Sequence, residues 1–405
     1  MRNVVFVAPH ITANTLRYVD ALCALPEVRA ALISSDPLGH LPQPLRQRLA
    51  AFETATSSLD GAALAAAASR LVARIGPIDR LFGALEQLQL PIAHARDVVG
   101  IPGMGVAIVT RFRDKSAMKA ALRQAEVPCA RYARVTSTAD ATRFADEVGY
   151  PMIIKPIDGL GTRSTWRLEN DDELAQALRS LAPSPAQPVQ CEEFLLGSEH
   201  SFETVTIDGR HIWSSSTNYL PGPLEAMNTP WIQYCVVLPR ETDTMERFRP
   251  VNHAALDALG MITGLSHMEL FNRNDTTVAV NEVGARPPGV NIMPLMSHAH
   301  GTDFVRAWIR LMALDQFDPP QRHHAAGTAF LRGHGPGTRV IAIHGLDAVL
   351  EELGGHVVEL SRPQLGQQRA TGYEGEGFAV VCAPSTAEVM HALARLIRNV
   401  RIVYG

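Results

Sequence analysis

The first hundred residues alternate short apolar runs with helical patterns, and this constrains the fold more than any other feature. Residues 4–8 form the apolar run of a buried strand. Residues 15–25 carry Leu16, Val19, Leu22 and Cys23 at helical spacing. Residues 30–34 read as a second strand, and an alanine-rich helix covers about 61–75. Strands separated by helices build a parallel sheet, because a parallel neighbour needs a long crossover. A dinucleotide-binding version of that layer places GxGxxG after its first strand. Here the turn is Pro9-His10-Ile11-Thr12, which has no glycine, so the nicotinamide reading falls.

The chain has 405 residues, enough for two or three domains. Hydrophobic residues make up 46% and charged residues 19%, the mix of a soluble globular protein. The formal charge of −4 lacks the basic surplus that nucleic acid or an anionic membrane attracts. No run approaches the ~18 apolar residues of a membrane span, and residues 1–8 lack the pattern of a signal peptide. Cys23, Cys129, Cys191, Cys235 and Cys382 are far apart and form no CxxC. They read as buried thiols in a reducing cytoplasm, not as disulfides or zinc ligands.

Ile101-Pro102-Gly103-Met104-Gly105 interrupts the pattern and marks a domain boundary. Asp114 then caps a helix whose apolar face is Ala117, Met118, Ala121 and Leu122. Residues 150–156 are an apolar strand ending in Lys155-Pro156. Residues 181–188 hold three prolines and read as a loop. Segments 189–195 and 201–207 read as strands, with a hairpin turn at Asp208-Gly209. Antiparallel strands follow, interrupted by helices near 251–259 and 303–314, with a last helix at about 386–398.

No GxxxxGK(S/T), HExxH or GxSxG pattern occurs, which excludes a P-loop site among others. Four less regular signals carry the chemistry. Lys155 is followed by Gly159, Gly161, Thr162, Arg163, Ser164 and Thr165. Close-approaching N–H groups, hydroxyls and cations suit a polyphosphate, although an exposed turn could carry the same residues. Second, strands at 265–271 and 277–283 flank a short connection. With Asp275-Thr276 as a two-residue loop, opposed residue numbers sum to 551 and Glu269 faces Glu282. Carboxylates so placed repel unless a proton or cation lies between them. Mg²⁺ takes such oxygens and leaves room for phosphate and water; another register leaves one glutamate in solvent. Third, Arg286 lies just past Glu282 among Pro287, Pro288 and Gly289. It can clamp a phosphate or carboxylate in a fork, or form a surface salt bridge. Fourth, residues 190–199 are extended and contain Glu192, Glu193 and Glu199. They can offer backbone groups to an adenine edge and a carboxylate to ribose hydroxyls, or simply keep a strand edge soluble. His267 shares the strand face of Glu269, whereas His298 and His300 read as structural.

The order of these elements resembles the ATP-grasp superfamily, in particular carboxylate–amine ligases such as the L-amino-acid (dipeptide) ligases. The resemblance runs from residue 1 to about 314. It is strongest at Asp114-Lys115, Ile154-Lys155-Pro156, residues 192–203, His267-Met268-Glu269 and Asn281-Glu282 through Gly289. It implies an α/β chain with α+β lobes: an N-terminal Rossmann-like layer (1–105), a small lobe (106–188) and a large lobe with a C-terminal extension (189–405). The lobes would enclose ATP. Lys115 and Lys155 would hold phosphates, beneath a loop containing Gly159, Gly161 and Ser164. Glu192, Glu193 and Leu195 would line the adenine, and Glu199 the ribose. Glu269 and Glu282 would bind Mg²⁺ (or Mn²⁺), and Arg286 would face an acyl-phosphate, acting in catalysis with Lys155. One departure is Gly284, where some relatives carry a metal-ligating asparagine; Asn281 or the substrate would have to complete that shell. The implied reaction joins a carboxylate to an amine, with amino acids as substrates by the same resemblance, and releases ADP and phosphate. The loop 218–230 is a candidate lid. The implied partners are small molecules in the cytoplasm, without nucleic acid or membrane, and a homodimer stays open. A purine-biosynthesis or carboxylase-like member, or a non-catalytic ATP-binding regulator, would share the fold. The missing biotin-attachment sequence speaks against the carboxylase, and the retained lysines and glutamates speak against the regulator.

Overall fold

The structure is a computed structural model that describes residues 1–157, 165–229, 232–274, 277–372 and 374–405. The N-terminal layer is a parallel sheet of β1 (Arg2–Ala8), β2 (Val28–Ser34), β3 (Ala51–Thr54) and β4 (Arg80–Phe82), in the order β3-β2-β1-β4. Alternate residues of β1 serve opposite faces. Val5 and Val7 pack beneath the helix Gly61–Ile75, which Asp60 caps by accepting the Ala63 N–H. Val4 and Phe6 pack on the other side with Tyr18 of the helix Ala13–Cys23.

A second, antiparallel sheet contains β5 (Tyr132–Val135), β6 (Met152–Pro156), β7 (Trp166–Leu168) and β8 (Val189–Glu193), in the order β5-β8-β6-β7. The chain therefore leaves the small sheet after Glu193, not at the expected boundary of 188. The helices Val106–Arg113 and Lys115–Gln124 also depart from that partition. Val109, Phe112, Met118 and Leu122 pack with Phe202, Phe248, Leu256, Met268 and Val280 of the large lobe. Their apolar stripes find the broad core there, while the small sheet has its own core around Phe144, Ile154 and Leu174.

The large lobe holds β9 (Gly197–Ile207), β10 (Arg210–Leu220), β11 (Tyr234–Leu238), β12 (Gly264–Arg273), β13 (Val278–Gly284), β14 (Ala325–Leu331), the pair β15 (Gly333–His334) and β16 (Val340–His344), then β17 (Val357–Ser361), β18 (Gly377–Ala383) and β19 (Arg401–Tyr404). Eight of these form one sheet, β13-β12-β9-β10-β11-β14-β18-β17, and β15-β19-β16 form a small one. Among the helices not foreseen are two of the large lobe, Ile292–His300 and Leu346–Leu353. Neither has a side-chain N-cap, and Pro294 lies in the first turn of the former. The expected lid is in part regular structure. Asn218, Tyr219 and Leu220 close β10, and Pro223–Asn228 is a short helix.

Candidate active site

A cleft lies between the small sheet and the β13–β12–β9 end of the large one. Ile153 and Lys155 of β6 and Glu192 and Glu193 of β8 line one side. Glu199 of β9, Glu269 and Phe271 of β12, and Asn281 and Glu282 of β13 line the other. Leu195, in the connection between the sheets, also lines it and packs with Ala130, Ala279 and Phe271. The candidate residues of three separate sequence segments thus share one cavity with an apolar wall and a charged floor.

The floor is built by local geometry. Glu269 pairs across the strands with Glu282, as the sequence spacing predicts. The route to that register differs from the expected one. Arg273 N donates to Thr277 O at 2.8 Å, and Leu270 pairs with Val280, so the pairs on the turn side sum to 550. A β-bulge at Asn281 adds one residue to β13 and restores the sum of 551 at Glu269. The postulated loop residues Asp275 and Thr276 lie outside the described residues, as do Gly159, Gly161 and Ser164.

Three lysines meet these carboxylates. Asp114 caps the helix Lys115–Gln124, accepting from Ser116 N at 2.8 Å and Ala117 N at 2.9 Å. That fixes Lys115 at the first helical position, where its Nζ lies 3.0 Å from Glu282 Oε1. Lys155 Nζ donates to Glu192 Oε2 at 2.9 Å. Lys119 was not singled out in the sequence. It is fully buried, donates to Val280 O at 3.1 Å, and lies 3.9 Å from Glu192 Oε1. Its place one turn after Lys115, within an otherwise apolar helix face, was the available signal.

The electrostatics separate the carboxylates into two kinds. Burial works against the Glu192 anion, but Lys119, Lys155 and Gln190 outweigh it and hold its pKa at about 2. Burial likewise opposes the Glu282 anion, and Lys115 and Lys155 carry it below the usual range. Glu199 and Glu269 behave in the opposite way. Burial and the neighbouring carboxylates raise both, against the weaker pull of Lys155 and Asn281 on Glu199 and of His267, Arg286 and Lys155 on Glu269. No lysine or arginine forms an ion pair with either among the described residues. His267 Nε2 stands 3.9 Å from Glu269 Oε1, and its Nδ1 bonds the buried Glu203 at 2.8 Å. The cleft therefore contains carboxylate oxygens whose charge is not offset, beside ones that are.

The remaining predicted residues divide. Glu193 lines the cleft while bonding Arg131, with Nε to Oε2 at 2.8 Å. Arg286 follows Glu282 by one turn of chain but its guanidinium grips Glu86 of the N-terminal layer, with Nε to Oε2 at 2.9 Å. Its side chain lies against Gly284, where a Cβ would stand 3.4 Å from Arg286 Cγ, an ordinary contact. His298 bonds Glu359, and His300 is packed against Trp213 and Phe304, so both are structural as read.

Residues 120–290 match the family model described as the ATP-grasp domain. The chain carries an ATP-grasp domain. It is 22% identical over 227 residues to an L-arginine-specific L-amino acid ligase of Bacillus subtilis, covering 55% of this chain and 54% of that one. It is 26% identical over 236 residues to a carbamoyl phosphate synthase large chain of Mycobacterium bovis, covering 56% of this chain and 20% of that one. The match thus spans about half of the first relative and a fifth of the second. The fold is similar to that of an L-amino acid ligase from Bacillus licheniformis, with a TM-score of 0.78 and 18% identity, over 100% of this chain and 99% of that one. The matched residues contain every residue that lines the cleft, while Lys115 and Lys119 lie just before them.

Proposed function

We propose that the protein is an ATP-dependent carboxylate–amine ligase acting on small molecules, amino acids among them, in the cytoplasm. The observation that carries this reading is the cleft that joins Lys155, Glu199, Glu269, Asn281 and Glu282 between the two sheets. Lys155 and Lys115 are the phosphate ligands, Ile153, Leu195 and Phe271 the apolar walls for adenine, and Glu199 the ribose acceptor. Glu192 keeps Lys155 charged and fixed, rather than reading the base.

Glu269 and Glu282 fit a hard divalent ion. They are opposed, partly buried and incompletely neutralised. Two carboxylates are what Mg²⁺ takes when phosphate and water supply its other positions, and Mn²⁺ suits the same oxygens. Among the described residues no group of three or more ligating side chains stands ready to bind a metal without such help. When bound, the ion would offset charge on the phosphate oxygens.

The substrate carboxylate attacks the γ-phosphorus, and the bond to ADP breaks. The amine then attacks the acyl carbon, expelling phosphate and forming the amide. Lys155 and Arg286 supply positive charge where it is needed during transfer, so catalysis is positioning and charge stabilisation. The test is a screen of amino-acid pairs for phosphate release from ATP. Release that depends on both an acid and an amine supports the reading. Nucleotide binding without turnover for any pair would favour the regulator.

A further inference from the structure

The N-terminal layer reaches the candidate centre through one carboxylate. Glu86 opens a short turn after β4, remote in sequence from the ATP-grasp glutamates. Its Oε2 accepts from Arg286 Nε at 2.9 Å and lies 2.7 Å from Nη2. Its Oε1 pairs with Arg113 Nη1, at the end of the helix that precedes Asp114 and Lys115. All three side chains are largely buried, with exposures of 11% for Glu86, 10% for Arg113 and 21% for Arg286.

A guanidinium has five N–H donors. Arg286 donates its Nε–H to Glu86, with Nη2 within ion-pair distance of the same oxygen, and Nη1 donates to Pro287 O at 2.9 Å. The side-on edge is therefore committed to protein. That leaves the end-on Nη edge, which makes no further hydrogen bond among the described residues, to receive oxygens of a ligand. Glu86 also faces Arg113, so its one negative charge is shared between two guanidinium groups. Glu86 thus fixes the direction of the fork without cancelling it.

We propose that Glu86 is the positioning residue for Arg286: it holds the side-on edge so that the end-on edge meets the transferring phosphoryl group. This rests on the ligase reading for its catalytic consequence, but not for its geometry. Arg113 shares the same carboxylate and so ties the orientation of Arg286 to the helix junction that bears Lys115.

Glu86→Gln keeps the shape and removes the charge. In a ligase assay with the acid and amine that the wild type uses, kcat should fall about 10- to 100-fold, the loss of one charge-assisted contact. ATP affinity by calorimetry should change less than about twofold, because Glu86 does not line the cleft. A separate readout needs no turnover. In ¹H–¹⁵N spectra of the wild type, Arg286 Nε–H, assigned by its loss in Arg286→Lys, should be protected from exchange, and Glu86→Gln should abolish that protection. If Glu86→Gln folds poorly, Glu86→Gln/Arg113→Gln removes the unbalanced buried charge and should recover the fold without recovering kcat. Unchanged kcat, or protection that survives Glu86→Gln, would overturn the proposal. A wild type that shows the protection but releases no ADP with any acid would sink the ligase reading alone.

Discussion

At the scale of single residues, pairing decides which charges are available. Glu282 is held by Lys115, while Glu269 meets His267 at 3.9 Å and a long bond from Asn281 at 3.5 Å. Glu282→Gln keeps the fold and removes one metal oxygen, so turnover at saturating Mg²⁺ should be lost almost entirely. Normal turnover by that variant would contradict the metal assignment. Lys155→Ala should weaken ATP binding roughly 10- to 150-fold, the worth of a charge-assisted contact of ~1.5–3 kcal/mol; calorimetry reads this directly. His300 supplies a prediction about pH. Burial lowers its pKa to about 4. Between about pH 6.5 and 4 the unfolded chain binds a proton that the native state refuses, so this contribution to stability is complete above 6.5 and falls as pH drops. His300→Gln should therefore show a shallower loss of stability from pH 7 to 5 in urea titrations than the wild type; identical slopes would contradict it. The sequence made Glu269, Glu282 and Lys155 legible because strand period and local context mark them. It hid Lys119 and Glu86, whose roles depend on Glu192 and Arg286, 73 and 200 residues away.

At the scale of elements, the β12–β13 hairpin explains both a success and its limit. Alternation fixes which strand positions share a face, but the count across the turn is a separate variable. The bulge at Asn281 compensates for the turn, so the paired glutamates were legible although the assumed route to them was not. The helices Gly61–Ile75 and Lys115–Gln124 were legible for a firmer reason: an aspartate caps each and a clear apolar stripe follows. Ile292–His300 lacks that signal, since Asn291 before it adopts a left-handed conformation and gives no side-chain cap. The caps also separate stability from function. Asp114→Ala and Asp60→Ala should each cost ~1 kcal/mol. Only Asp114→Ala should also weaken ATP binding, because Lys115 rides on the helix it starts. Equal ATP affinity in the two variants would show that the cap does not place Lys115.

At the scale of the whole molecule, the N-terminal layer and the large lobe share a core. Phe6, Tyr18 and Phe82 meet Trp308 of the helix Phe304–Leu314 in a chain of ring contacts, and Arg2 and Arg80 both reach Asp315. The small sheet packs its own side chains. Composition could not show that division, because the same apolar residues serve each core; only the contacts assign them. In the proposed reading, the terminal phosphate of ATP would lie between Lys155 of the small sheet and the Glu269–Glu282 pair of the large lobe, which line one cleft. The central claim is that the bond broken there joins the β- and γ-phosphates. Phosphorus-31 spectra of a turnover mixture containing ATP, Mg²⁺ and the acid and amine found by screening test it most directly. The account predicts ADP and inorganic phosphate in step with amide, and AMP with pyrophosphate would contradict it.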